Sequence, residues 1–377
     1  MPSQSPSFRV RAAVMMAVAA GGVLVVGDGG GGVWGVGGVV LAAERGFASP
    51  ASGSGTGAGA DLTSAMKLRE RAAGLLIEYA VKGQPEQQAN ALEALLPLPA
   101  RLESAARLGM TSSSQGVRSV AALVAGRAKL TRLVDHVRPL LNDDSPLVRA
   151  SAMYALSRLG VTVDPTPLAS MLSDGPMHVR AHAAFLLGEM RNASAVPMLL
   201  EASGAPAVRA DAVRDRLMRL QIAEALVKLE KTEAIGEVRA ALYPARPEDL
   251  EACALAAQIL GQVRDEASRP NLRALLADNW EQGRPMPIEV RLAAAASLAR
   301  MDSVSSPREE QALDLAQKHL AAENPAHRAQ AAMVLGESGQ TKVLALLAPL
   351  LDDPQALVQI SAAAAVLKIT EVSARGR

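Results

Sequence analysis

Residues 173–190, SDGPMHVRAHAAFLLGEM, admit two readings. His178 and His182 stand four apart, with Glu189 seven further on, so at 100° per residue all three share one helical face and could ligate a metal. Otherwise the stretch is a turn followed by a helix that only has to pack. A site is singular and a packing unit recurs, so the rest of the chain decides between them.

The unit recurs. VRSVAALVAG (117–126), VRASAMYALS (148–157), VRAHAAFLLG (179–188), MRLQIAEALV (218–227), ACALAAQILG (252–261), VRLAAAASLA (290–299), HRAQAAMVLG (327–336) and VQISAAAAVL (358–367) align without gaps. Their second residues are 31, 31, 39, 34, 38, 37 and 31 positions apart, the period of stacked two-helix units. Three residues after that reference stands Ala in seven of eight copies, with Ile222 the exception. Seven after it stands Leu in six, with Ala125 and Val366 the others. These positions belong to an i, i+4, i+7 stripe that a helix must bury, small residues allowing close approach and larger ones filling the layer. A shorter amphipathic helix precedes each copy, and turn chemistry such as NDDSP, SGAP, ENPA and DDPQ separates the two. Such pairs cannot bury their apolar faces alone. The expectation is an all-α solenoid, a right-handed superhelix of about eight to ten stacked antiparallel helix pairs. In this frame His182 falls where other copies carry Ser151, Gln221, Gln330 and Ser361, which reads as a solvent-facing position. His178 falls where they carry Leu147, Leu217 and Ala326, so no metal is expected, and His178, His182 and Glu189 are the residual candidates.

Composition agrees. Of 377 residues 49% are hydrophobic but only 2% aromatic, which starves a β-sandwich and suits helices packed through Ala and Leu. Lys plus Arg number 39 against 38 Asp plus Glu, so no global field draws in nucleic acid or an anionic membrane. The one cysteine, Cys253, excludes an intrachain disulfide and a multi-cysteine zinc site. Residues 1–43 carry Arg9 and Arg11, then an uncharged run and glycine-rich sequence ending VVLAA. They read as a signal peptide, or alternatively as an uncleaved inner-membrane anchor. Within them VLVV followed by GDGGGG (27–32) matches a dinucleotide fingerprint by chance, since no amphipathic helix follows. Residues 44–61 read as a flexible Gly/Ser-rich linker, 62–116 as degenerate N-terminal repeats that cap the array, 117–369 as the array, and 370–377 as a polar tail.

The pattern VR-xx-AA-xx-LG after a D-x-x-P turn resembles the HEAT repeat, in the short bacterial form also found in phycobilin lyases. The resemblance implies a ladder of turn Asp and helix-opening Arg, carried here onto Asp143 with Arg149 and Asp174 with Arg180. Cys253 and Gln359 replace the Arg in their copies, and Ser203 replaces the Asp before Arg209. Two insertions lengthen the period. RADAVRDRLM (209–218) carries Arg214 and Arg216, and NWEQGRPMPI (279–288) carries Trp280. Extra length in a solenoid maps to one face, often the one that binds, so these three residues are the expected partner contacts.

No catalytic constellation stands out. The His-Glu dipeptides with which hydroxylating HEAT relatives bind iron are missing, as are a GxSxG elbow, a Walker loop and HExxH. Paired acids such as Asp143/Asp144 sit in turns. The expectation is a non-catalytic protein-interaction scaffold without cofactor, a monomer, exported to the periplasm or envelope. It would bind one or more proteins through exposed positions of the second helices, no nucleic acid, and a membrane only through an uncleaved N-terminus. The alternative is a bilin lyase-like or other small-cofactor-handling enzyme on the same fold.

Overall fold

The computed structural model describes residues 23–26, 33–36, 58–206, 211–277, 285–301 and 310–375. Among the described residues eighteen α-helices form nine antiparallel pairs. In chain order these are α1 (Ala58–Lys82) with α2 (Pro85–Ala94), α3 (Pro99–Gly109) with α4 (Gln115–Arg127), and α5 (Val134–Val137) with α6 (Pro146–Arg158). There follow α7 (Thr166–Asp174) with α8 (Met177–Met190), α9 (Val196–Gly204) with α10 (Ala212–Lys228), and α11 (Ile235–Ala240) with α12 (Leu250–Gln262). The last are α13 (Arg269–Leu276) with α14 (Ile288–Met301), α15 (Glu310–His319) with α16 (Pro325–Glu337), and α17 (Leu344–Leu347) with α18 (Ala356–Arg375). The fold is the expected α-solenoid. Helix α1 begins at Ala58, inside the stretch read as linker, and α18 runs to Arg375, so most of the supposed polar tail is helical. Apart from the helices, β1 (Val23–Val26) pairs antiparallel with β2 (Val33–Val36), Val23 opposite Val36. A second strand, not a helix, thus follows VLVV, against the dinucleotide fingerprint.

The local chemistry explains the pairs. Proline opens α2, α4's predecessor α3, α6 and α16, where its missing N–H costs nothing. Asn324 caps α16 by accepting from the Ala326 amide, and Asp143 accepts from the Ser145 amide just ahead of α6. Each even-numbered helix packs against the even-numbered helices on both sides, so both its flanks are covered. The Ala three residues past each reference is fully buried in all seven copies, as is Ile222. Gly126, Gly188, Gly261 and Gly336 bring alternate helices closest: a Cβ on any of them would lie 2.6–2.8 Å from Ala155, Ala225, Ser297 or Ala365 of the next even helix.

The stack has no free ends. Helix α18 packs against α1 and α2, closing nine pairs into a ring, a mean turn of about 40° per pair. Arg69 Nη1 donates to the Thr370 hydroxyl (2.7 Å) and the Leu367 carbonyl (3.3 Å), Tyr79 donates to Gln359 Oε1 (2.6 Å), and Arg71 pairs with Asp352. Residues 62–116 were expected to cap an open stack, yet Ala72, Ala73 and Leu76 of α1 are fully buried. The even helices are on the inside. An ion pair between Arg127 of α4 and Glu189 of α8 (3.6 Å) passes over α6, which only a concave face allows.

The Asp–Arg ladder exists in a different register from the one expected. Asp143 is gripped by Arg118 of the preceding pair, through Nε (2.7 Å) and Nη2 (2.9 Å), and Asp353 likewise by Arg328 (2.8 and 2.9 Å). Arg149 instead caps its own turn, donating Nη1 to the carbonyls of Asp143 (2.6 Å) and Asp144 (3.0 Å). Arg180 donates to the Leu172 carbonyl (2.9 Å), and the Asp174 side chain lies outside the described ones. The geometry is the cause: a turn carboxylate three residues before its helix faces back along the stack, toward the previous Arg. Gln359 repeats the turn-capping bond, to the Asp353 carbonyl (2.6 Å), and meets Tyr79 where the ring closes onto a first pair that has no turn Asp.

A charged belt on the inner helices as candidate functional site

Eight inner helices share a position nine residues after the reference, in the last turn of all but α18. It is occupied by Arg127, Arg158, Glu189, Lys228, Gln262, Arg300, Glu337 and Lys368, seven of eight charged, with Glu93 of α2 from the first pair. Nine helices about 9 Å apart make a ring roughly 26 Å across between opposite axes, so these side chains meet in a narrow lumen. Cations there complement the negative helix C-termini, whereas the carboxylates sit against the dipole and need cationic neighbours.

Those neighbours are present. Glu189 takes Lys228 (2.7 Å) and Arg127 (3.6 Å), and Lys228 also takes Glu224 (2.7 Å). Arg127 lies 3.9 Å from Glu93. Glu337 receives Arg300 through both nitrogens of its fork (2.6 and 2.9 Å) and Lys368 beside it. The Phe185 ring is flanked by both cations of the first cluster, with Arg127 5.3 Å and Lys228 5.2 Å from its centroid. Burial would drive these carboxyls toward protonation, but the cations win. Lys228 and Arg127 hold Glu189 down to about 2, and Arg300 and Lys368 hold Glu337 well below the usual range. Burial and Glu337 oppose each other at Lys368, where burial prevails and lowers it. Such a belt binds charge to charge.

The residues singled out in the sequence fare variously. Glu189 is committed to Lys228 and Arg127, about 10 Å along the helix from His182, too far to share a metal with it. His178 is half-buried at the helix start. His182 is fully buried, not solvent-facing: its Nε2 lies 3.0 Å from the Ser151 hydroxyl, itself 2.8 Å from that of Ser119. Its offset points into the seam between neighbouring inner helices, where Ser151, Gln221, Gln330 and Ser361 are buried too. Burial lowers its pKa to about 4. Among the described residues no three His, Cys, Asp or Glu side chains converge on a metal position. Arg214 pairs with Asp211 (3.1 Å) on the surface, and Arg216 pairs with Asp249 ahead of α12, taking over the ladder's role there. Arg219 caps its own turn at the Ser203 (2.8 Å) and Ala205 (2.7 Å) carbonyls. Trp280 and Arg209 lie outside the described residues. The belt itself went unread, although its charge at a fixed offset was visible in the alignment.

HEAT repeats are matched at residues 99–177 and 284–368. The chain is also similar, at low identity, to several solved structures. Human deoxyhypusine hydroxylase in complex with glycerol is 18% identical with a TM-score of 0.34, over 74% of this chain and 99% of that one. The complex of CpcE and CpcF of phycocyanin lyase from Nostoc sp. PCC7120 is 19% identical with a TM-score of 0.39, over 68% and 91%. Kap121p is 13% identical with a TM-score of 0.33, over 80% and 37%. No curated protein matches in sequence.

Proposed function

We propose that this HEAT array is a non-catalytic scaffold that binds one or more proteins, acts as a monomer, and is exported to the periplasm or envelope. The observation that carries the reading is the commitment of the reactive side chains to packing and to each other. Burial pushes the Cys253 thiol up to about 12 and His182 down to about 4, so neither serves as nucleophile or base near neutrality. The carboxylates of the belt are held by cations.

The binding surface differs from the one expected on exposed positions of the second helices, because those helices are packed on both flanks. What the ring offers a partner is its outer helices and its two mouths. The first 43 residues support export by their order of cations, uncharged run and small residues. Among the described residues no helix is long and apolar enough to cross a membrane.

In-cell crosslinking with mass spectrometry tests the scaffold: reproducible partners are expected, with links on outer helices or turns. Absence of any partner, together with a stoichiometric chromophore or metal on the purified protein, would replace it with a cofactor-handling reading. The mass of the mature chain tests export, cleavage near residue 42 being expected.

A further inference from the structure

We infer that the mouth of the ring at the C-terminal ends of α4, α6 and α8 docks an acidic segment of a partner protein. The inference rests on the scaffold reading and supplies its partner chemistry. Lys129, Arg132, Arg158 and Arg191 occupy three consecutive turns there. The Arg127–Glu189 contact at 3.6 Å draws the first and third of these turns together across the second. Lys129 and Arg191, each two residues beyond one partner of that contact, therefore rim one opening.

None of the four cations is in an ion pair. Lys129, Arg132 and Arg191 are exposed, and Arg158 is half-buried with its Nε lacking any hydrogen-bond partner. Three acids nearby are already engaged, Glu189 by Lys228, Asp164 by the amide and hydroxyl of Thr166, and Asp135 by Arg138, while Glu230 stands exposed in the next turn. Four unmatched cations around an unmet guanidinium donor are the complement of carboxylates.

Lys129 and Arg191 each sit at φ 52°, in the left-handed region, at the turn position that Gly160 (φ 84°), Glu230 (φ 67°), Arg264 (φ 54°) and Gly339 (φ 63°) occupy in other pairs, so glycine suits the position. A carboxylate-bearing peptide fits better than nucleic acid, since Phe185 and Tyr154 are both buried and offer no face for base stacking.

The test is fluorescence anisotropy of the full chain with fluorescein-labelled deca-glutamate, with a thymidine decamer and phosphatidylserine vesicles as competing probes. Deca-glutamate should bind, and tighter than the other two, with affinity falling as salt rises from about 50 to about 300 mM. The double variant Lys129→Gly/Arg191→Gly should lose about tenfold in affinity while its Tm holds or rises, because glycine suits the turn. Arg264→Gly removes a cation from the same left-handed position (φ 54°) two pairs away, and should leave binding unchanged. Failure of the wild type to bind deca-glutamate, equal loss in Arg264→Gly, or tighter binding of thymidine or vesicles would overturn the inference. Partners recovered by crosslinking would then still support the scaffold.

Discussion

Replacing Glu189 by Gln keeps the shape of a belt side chain and removes its charge. In the wild type, Lys228 at 2.7 Å and Arg127 at 3.6 Å lower its pKa from 4.5 to about 2. At 1.36 kcal/mol per unit, 2.5 units correspond to about 3 kcal/mol of folding stability at neutral pH. The loss should fall somewhat short of that, about 2–3 kcal/mol, because Lys228 retains Glu224 at 2.7 Å and Arg127 retains Glu93 at 3.9 Å. The sign of the pH dependence follows from the depressed pKa. The carboxylate's contribution is complete above about 4.5 and disappears as pH falls toward 2. Urea unfolding of both proteins at pH 7, 5, 4 and 3, followed by circular dichroism, reads the difference. A gap of 2–3 kcal/mol at pH 7 that shrinks steadily below pH 4.5 is expected. A gap under about 1 kcal/mol at pH 7, or one that does not change with pH, would refute the belt as an energetic element.

Three further outcomes follow from the same geometry. Gly188→Val, whose Cβ would lie 2.8 Å from the Ala225 Cα, should cost at least about 2 kcal/mol by thermal melting, whereas Gly236→Ala, with nothing within 4 Å, should stabilise by up to about 1 kcal/mol. His182, buried neutral among Ser151, Phe185, His178 and Arg127, resists its proton. Stability should therefore fall by up to about 3 kcal/mol as pH drops from 6.5 to 4, and His182→Gln should flatten that part of the profile. Asp353→Asn, which loses its charge and one of the two bonds from Arg328, should cost about 1.5–3 kcal/mol, and its exposed neighbour Asp352→Asn under about 1 kcal/mol, in parallel urea titrations.

The repeat was legible because burial is periodic: the Ala at one offset and the Leu at another are what a stacked helix must hide, and all are buried. What depends on pairing between units was not. The reference Arg and the turn Asp occur in one copy, but Asp143 belongs to Arg118 of the preceding copy, a choice fixed by how the turns lean. His182 shared its offset with serines and glutamines and was read as exposed, because polarity at a helix position cannot distinguish water from a seam between helices. The charges of Arg127, Glu189, Arg300 and Glu337 share one offset, but nothing in the sequence tells that closure of the ring turns them toward one another. Closure itself is the sum of small rotations over nine pairs. Only Gln359, standing where an Arg was expected, marks the joint in the sequence.

That joint is where the account is most exposed to test. The antiparallel contact of α1 with α18, running from Arg69 beside Thr370 to Tyr79 beside Gln359, places the exposed residues Met66 and Val372 near each other across the seam. Spin labels on cysteines introduced at 66 and 372, with Cys253 buried and unlabelled, report the distance by double electron–electron resonance. A closed ring predicts one narrow distribution below about 25 Å, helix spacing plus two label arms. A broad distribution centred beyond about 40 Å, as for an open stack with its end pairs apart, would contradict it.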